Sequence, residues 1–405
     1  MQDSEKSRNQ LVAEIFELKR IENFLRAEVS ELWDYVNKLE VLPFFRFWVK
    51  IATKLNYKNR YQIGKYQENF PTNKVTSIRQ EVLNCDFLFV FSSDLHEIGG
   101  LKTASKLARD LSKLKNSSTN GLALSHNPTI ANEDGFFVYD VLPQSRIKNV
   151  VACGSDTIDT AIKMTKDFDA KLILLMMGLD QIFAPSWYES KNYVKAMQLA
   201  DLVICLSPHL ANQAKLYGSK NIAVATLGFD QRDFYYEGLE KNKKILIPCR
   251  TSPEKGLKVI LPAIKLIRDR GWEVVGFGDL NDLASAEVFD RFIGRVSPSD
   301  LKKEFQDTRF LIDPSWVEGL GLVALEAAAC GVMPIITARA DYAELFKESS
   351  KPFFEVANFI NPENLLAILE DPDKWIQPEQ LCSRVSALAW ENGLDQTYLA
   401  LKDFI

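Results

Sequence analysis

From residue 81 onward, short apolar runs alternate with segments of helical spacing, and this alternation is the strongest constraint on the fold. DFLFVFSSD (86–94) reads as a buried strand, and GGLKTASKLARDLSKL (99–114) follows with helical spacing. GLALSHN, KNVVACG, KLILLMMG and DLVICLS (201–207) are further strand-like runs, and PHLANQAKLYG reads as a helix stopped by Gly218. IAVATLGFD (222–230) closes the set. Apolar runs without polar alternation suit strands covered on both faces, as in a parallel sheet flanked by helices. After a charged spacer, EGLEKNKK (237–244), the pattern restarts with KILIPC, a helix in SPEKGLKVILPAIKLIRDRG, then WEVVGFG, RFIGRV, TRFLIDPS, GLVALEAAACG and VMPIIT. Ser252 is the expected cap of that first helix, with Pro253 in its first turn. The pattern predicts two Rossmann-like domains, 81–230 and 231–378, and two final helices within 379–405.

The chain has 405 residues, 46% hydrophobic and 25% charged, ordinary for globular protein and sufficient for two cores. Its formal net charge of −5 implies no general affinity for nucleic acid. No uncharged apolar run is long enough to cross a membrane, and MQDSEKSRNQ lacks the apolar core of a signal peptide, so the cytoplasm is the expected compartment. Cys85, Cys153, Cys205, Cys249, Cys330 and Cys382 include no C-x-x-C pair and read as reduced core residues. His96, His126 and His209 are scattered, and no metal site is expected.

The N-terminal 80 residues follow other rules. Leu11, Ile15, Leu18, Leu25, Val29, Leu32, Val36 and Leu39 form a heptad seam broken at Glu22, which predicts a coiled coil over 8–40 within a segment 1–41, and hence a homo-oligomer. Segment 42–80 opens with a basic aromatic stretch, 42–66. It carries Arg46, Lys50, Lys54, Lys58, Arg60 and Lys65 with no acid, beside Phe44, Phe45, Phe47 and Trp48. Such a stretch suits either peripheral contact with an anionic membrane or a linker helix with buried aromatics.

Chemistry concentrates between Asp313 and Gly331, DPSWVEGLGLVALEAAACG. A strand ends, a loop carries Glu318, Gly319, Leu320 and Gly321, and a helix beginning near Leu322 contains Glu326. Glycines let a ligand approach the backbone, and the first N–H groups of the helix favour an anion. Carboxylates are poor phosphate ligands, so Glu318 and Glu326 suit hydroxyls. Together they describe a sugar nucleotide. Arg250 and Lys255 follow the strand of the preceding β-α unit and supply the positive partners for a diphosphate.

These residues resemble a known family: the retaining GT-B glycosyltransferases of the family-four type. Its motif of two glutamates separated by seven residues stands here as Glu318, Gly319, Gly321, Glu326, Ala327 and Gly331. Its basic pair matches Arg250 and Lys255, its Gly-Gly loop Gly99 and Gly100, and its interdomain G-x-D-x-x-x-F segment Gly228, Asp230 and Phe234. The resemblance covers roughly 86–400. It implies two Rossmann-like domains facing a cleft, with the final helices crossing back to the first domain and the coiled coil as an N-terminal extension. It also implies a nucleotide-sugar donor, a glycan or lipid-linked acceptor, and transfer without a metal or other cofactor. By the same resemblance Glu326 holds ribose hydroxyls, Glu318 orients the sugar, and the N–H groups of Gly319 to Leu322 face phosphate and sugar. Asp180 is the first candidate for an N-domain residue near the sugar, with His126 and His96 after it.

Two departures accompany the match. The stretch Ala338 to Glu344 keeps the family's terminal glutamate but lacks its glycines. Asp371-Pro372-Asp373 spells the D-x-D of metal-dependent transferases, yet its Pro-flanked position reads as a turn. The stretch from Met177 to Pro208 is also similar to bacterial rhamnosyltransferases of surface-polysaccharide assembly, which implies dTDP-rhamnose as a donor; the basic segment 42–66 separately suggests peripheral attachment to the inner face of the membrane. Two alternatives stay open: a non-catalytic GT-B scaffold assembling partners through its coiled coil, and a sugar-nucleotide epimerase.

Overall fold

The computed structural model describes residues 83–91, 99–113, 118–123, 138–139, 142, 145–178, 187–250, 255–280, 286–315, 318–337, 354–357 and 362–404. The heptad seam of 8–40 and the basic aromatic stretch 42–66 lie outside the described residues.

Two parallel sheets organise the chain. The first contains β1 (Leu83–Phe91), β2 (Thr119–Ala123), β3 (Val138–Tyr139), β4 (Ser145–Ala152), β5 (Lys171–Met176), β6 (Leu202–Cys205) and β7 (Ile222–Val224), in the order β3-β2-β1-β4-β5-β6-β7. The second contains β8 (Asn242–Cys249), β9 (Glu273–Gly278), β10 (Arg291–Phe292), β11 (Thr308–Asp313), β12 (Met333–Thr337) and β13 (Glu355–Ala357), in the order β10-β9-β8-β11-β12-β13. Each sheet winds outward from its first strand in one direction, then reverses from that strand in the other. The central strands are buried on both faces: β6 throughout, β5 after Lys171, and β8 from Lys244 to Cys249. Both faces of the sheet are covered, so their sequences run apolar without alternation.

Helices α1 (Gly99–Ser112), α2 (Ile158–Phe168), α3 (Trp187–Leu199) and α4 (Pro208–Leu216) connect strands of the first sheet. Helices α5 (Leu257–Asp269), α6 (Pro298–Asp307), α7 (Leu322–Ala329) and α8 (Pro362–Leu369) belong to the second. Capping follows the local sequence. Ser207 accepts the Leu210 N–H at 3.2 Å ahead of Pro208, and Ser297 accepts the Asp300 N–H at 3.1 Å ahead of Pro298.

The last helices, α9 (Pro378–Val385) and α10 (Trp390–Leu401), tie the two sheets together. The α9 helix packs on α7, and α10 packs on α1 and β7. The Trp390 N–H donates to the Phe229 carbonyl at 2.8 Å, and the indole N–H donates to Asp110 at 2.8 Å. The Thr226 N–H donates to the Gln396 side chain at 2.9 Å, and Asn149 donates to the Phe404 carbonyl at 2.9 Å.

The structure departs from the sequence expectations in three places. Helix α5 begins at Leu257, not Ser252, with Gly256 as its cap in the left-handed conformation (φ +66°). Lys255 therefore precedes the helix, and Ser252 and Pro253 lie outside the described residues. The supposed spacer 237–244 is not solvated throughout, because Lys241 and Lys244 are buried and β8 starts at Asn242. Third, IAVATLGFD leaves the sheet after Val224, where the chain turns toward the second domain. Among the described residues no helix is long and apolar enough to cross a membrane.

Candidate active site

In each sheet the winding direction reverses between its first and fourth strands, which opens a crevice at their C-terminal ends. In the second sheet those strands are β8 and β11. Arg250 follows β8, Asp313 ends β11, and Glu318 lies in the loop beyond it. The two loops are seated on each other, since a Cβ at Gly256 would strike the Pro314 carbonyl. This close approach brings Lys255 Nζ to 3.0 Å and Arg250 Nη1 to 3.5 Å from Glu318 Oε1. Arg250 remains 43% exposed, whereas Lys255 and Glu318 are largely covered. Burial works to raise the Glu318 carboxyl, but the charges of Lys255 and Arg250 outweigh it and hold the group below the usual glutamate range.

Helix α7 starts at once after the glycines, with Gly321 as its cap at φ +68°. The Ala324 N–H donates to the Gly321 carbonyl at 3.0 Å. The earlier N–H groups of a helix have no intrahelical acceptor and face the crevice. Leu320 is buried and Leu322 packs at the rim of the core, so those two positions offer backbone rather than side chain. Glu326 lies one turn further along α7. Burial pushes its carboxyl up to about 8, Arg250 and Lys102 pull against that, and Asp233 adds to it.

The first sheet meets this loop through Met177, just past β5. A Cβ at Gly319 would collide with the Met177 carbonyl, and one at Gly100 would sit 3.4 Å from Met177 Cε. Gly99 and Gly100 open α1, so the first turn of α1, the end of β5 and the Glu318 loop converge. Sequence reasoning had no signal for Met177 beyond its place after an apolar run. It also passed over Asp313 and Ser315, whose side chains meet at 2.6 Å in the same loop. Asp180, His126 and His96 lie outside the described residues, and His209 sits half-buried on α4.

The interdomain motif is built into the junction. Gly228 lies against the Leu388 carbonyl, where no side chain fits. Arg232 grips Asp230 through two bonds, 2.9 and 2.6 Å, and Lys106 approaches it at 3.1 Å. The Arg232 guanidinium holds the Asp230 carboxyl far below the usual range against the effect of burial, and Lys106 adds to it. Lys106 also sits 3.6 Å above the Trp390 ring. Asp371 caps a single 3-10 turn by accepting the Asp373 N–H at 3.2 Å, so the D-x-D sequence is a surface turn.

This arrangement has known counterparts. Residues 231–389 match the family described as glycosyl transferases group 1. An uncharacterized glycosyltransferase of Methanocaldococcus jannaschii is 28% identical over 257 residues, 57% of this chain and 69% of the relative. The O-antigen chain mannosyltransferase B of Escherichia coli is 27% identical over 33% of this chain and 35% of its own length. Among solved structures, HepE of Anabaena in complex with UDP and glucose superposes with a TM-score of 0.63 at 14% identity, over 79% of this chain and 100% of that one. The fold is therefore GT-B, two Rossmann-like parallel sheets, and within it residues 231–389 are similar to the group 1 glycosyl transferases.

Proposed function

We propose that this protein transfers a sugar from a nucleoside-diphosphate sugar to a glycan or lipid-linked acceptor with retention of anomeric configuration. The observation that carries this reading is the meeting of Arg250, Lys255 and Glu318 at the reversal point of the second sheet, beside the N-terminus of α7. The donor diphosphate lies over the first turn of α7, and Arg250 and Lys255 meet the charge that develops as it leaves. Metal is not needed for that task. Glu318 accepts from sugar hydroxyls and Glu326 from the ribose. The leaving diphosphate assists deprotonation of the acceptor on the same face, and the protein contributes mainly by positioning. The acceptor enters from the first domain, past Gly99, Gly100 and Met177. From the family resemblance, Asp180 and His126 are the candidates for the N-domain residue near the sugar.

The O-antigen relative supports a surface-polysaccharide acceptor, and the HepE complex makes UDP the first probe to try beside dTDP, GDP and ADP. The test is a thermal-shift panel with these nucleotides and their sugars, dTDP-rhamnose included. A ligand at about 100 times its Kd adds about 2.7 kcal/mol, which is readily seen. A shift with one base series, lost in Arg250→Ala, is the expected result. No shift with any of them would overturn the donor site. Membrane attachment through 42–66 and oligomerisation through 8–40 belong to the same proposal. Liposome flotation and sedimentation of the full chain against one starting at residue 80 check both.

A further inference from the structure

Helix α1 carries one charged stripe. Lys102, Lys106 and Asp110 recur at every fourth residue and so share a face. The other side of α1 is packed: Ala104, Leu107, Ala108 and Leu111 lie in the core, and Gly100 sits against Met177. Two members of the stripe are engaged at the junction of the sheets. Lys106 approaches Asp230 at 3.1 Å and covers the Trp390 ring, and Asp110 accepts the Trp390 indole N–H at 2.8 Å. The stripe therefore faces the interdomain linker and α10. Its third member, Lys102, stands one turn nearer the crevice and is exposed. Among the described residues no carboxylate lies within ion-pair distance of it.

One carboxyl of the second sheet nevertheless feels the charge of Lys102, namely Glu326 on α7. Asp233, three residues beyond Asp230 in the linker, acts on the same carboxyl. The start of α1, the linker and α7 thus border one space, beside the loop where Met177 meets Gly319. A cation in the first turn of a helix opposes the dipole of that helix, and the first turn of α1 has no acid to offset it. The stability of α1 does not account for Lys102.

We propose that Lys102 is a donor-binding residue, the first domain's cation for the nucleoside diphosphate, set across the crevice from Arg250 and Lys255. The inference rests on the donor-site reading above and deepens it. Arg250 and Lys255 both belong to the second domain. Lys102 is carried by α1, so full affinity for the diphosphate depends on both domains. Lysine suits the place, because a point charge on a flexible stem can follow a phosphate from donor to leaving group.

Binding to the full chain tests this, with whichever of UDP, dTDP, GDP or ADP the wild type takes. Lys102→Met keeps the stem and removes the charge, and at an exposed position it should leave Tm unchanged. Its Kd should rise at least about ten-fold, and that of Lys102→Glu further, while Lys102→Arg should stay within about three-fold. The loss in Lys102→Met should persist when Glu326→Gln is also present. A loss that disappears in that background would show that the lysine serves the carboxyl and not the donor, which overturns the proposal. A Kd for Lys102→Met within about three-fold of wild type, with binding lost in Arg250→Ala, overturns it too and leaves the donor-site reading standing. A wild type that binds none of the four overturns that reading, and the role of Lys102 falls with it.

Discussion

At the residue scale, the chemistry depends on which charges face each other. Glu318 is compensated by Lys255 and Arg250, whereas Glu326 has burial against it and only distant cations in its favour. Glu318→Ala and Lys255→Ala should each lower kcat about 10²–10³-fold with the fold retained, since each removes a group that the proposed function sets against the diphosphate-sugar. Wild-type-like rates, measured with the donor that the binding panel identifies, would remove these residues from the reaction. Glu326 sets a pH dependence of the opposite sign to most carboxylates. Its folded form holds a proton up to about 8, above its ordinary value, so the folded state binds more protons in between. That contribution to stability is complete at low pH and is lost as pH rises through about 8. Between about pH 5 and about pH 9 the Tm of wild type should fall more than that of Glu326→Gln, and parallel curves would contradict this.

At the element scale, one buried lysine joins two helix ends. Lys241 Nζ donates to the carbonyls of Phe305 and Gln306 at 2.8 Å, in the last turn of α6, and to that of Cys330 at 2.7 Å, just past α7. A cation at two helix C-termini meets carbonyls of the last turns, of which that of Phe305 also accepts the Thr308 N–H. Lys241→Met should therefore cost about 3 kcal/mol by leaving those acceptors dry, read as a lower denaturant midpoint with an unchanged slope. A midpoint equal to wild type would show that water replaces the ammonium. The sequence reads the segment around Lys241 as a charged spacer, and nothing in its composition marks the lysine as buried. The same limit applies to β3 and β13, edge strands of two and three residues, too short for any periodicity to show.

At the scale of the whole molecule, the C-terminal crossover makes one body of two sheets. Trp390 gives its backbone N–H to Phe229, its indole N–H to Asp110 and its ring face to Lys106. Trp390→Ala should destabilise by about 3–5 kcal/mol. Amide exchange should rise in both 390–401 and 99–112, and a rise confined to α10 would refute the coupling. The sequence by itself determined the doubly wound class and marked the segment that we propose as the donor site. Both are written in local signals: unbroken apolar runs, caps such as Ser207-Pro208, and glycines at Gly256, Gly319 and Gly321 where backbones touch or φ is positive. Tertiary structure alone decided that Met177 wedges between Gly100 and Gly319, that Asp313 shares Ser315 with Glu318, and that Lys241 is buried. The Met177 contact and the burial of Lys241 depend on groups far apart in the chain, and the Ser315 contacts on how one loop folds; in each case the groups meet where water is excluded, and the strength of a charge or a hydrogen bond is set by that meeting rather than by the residue type.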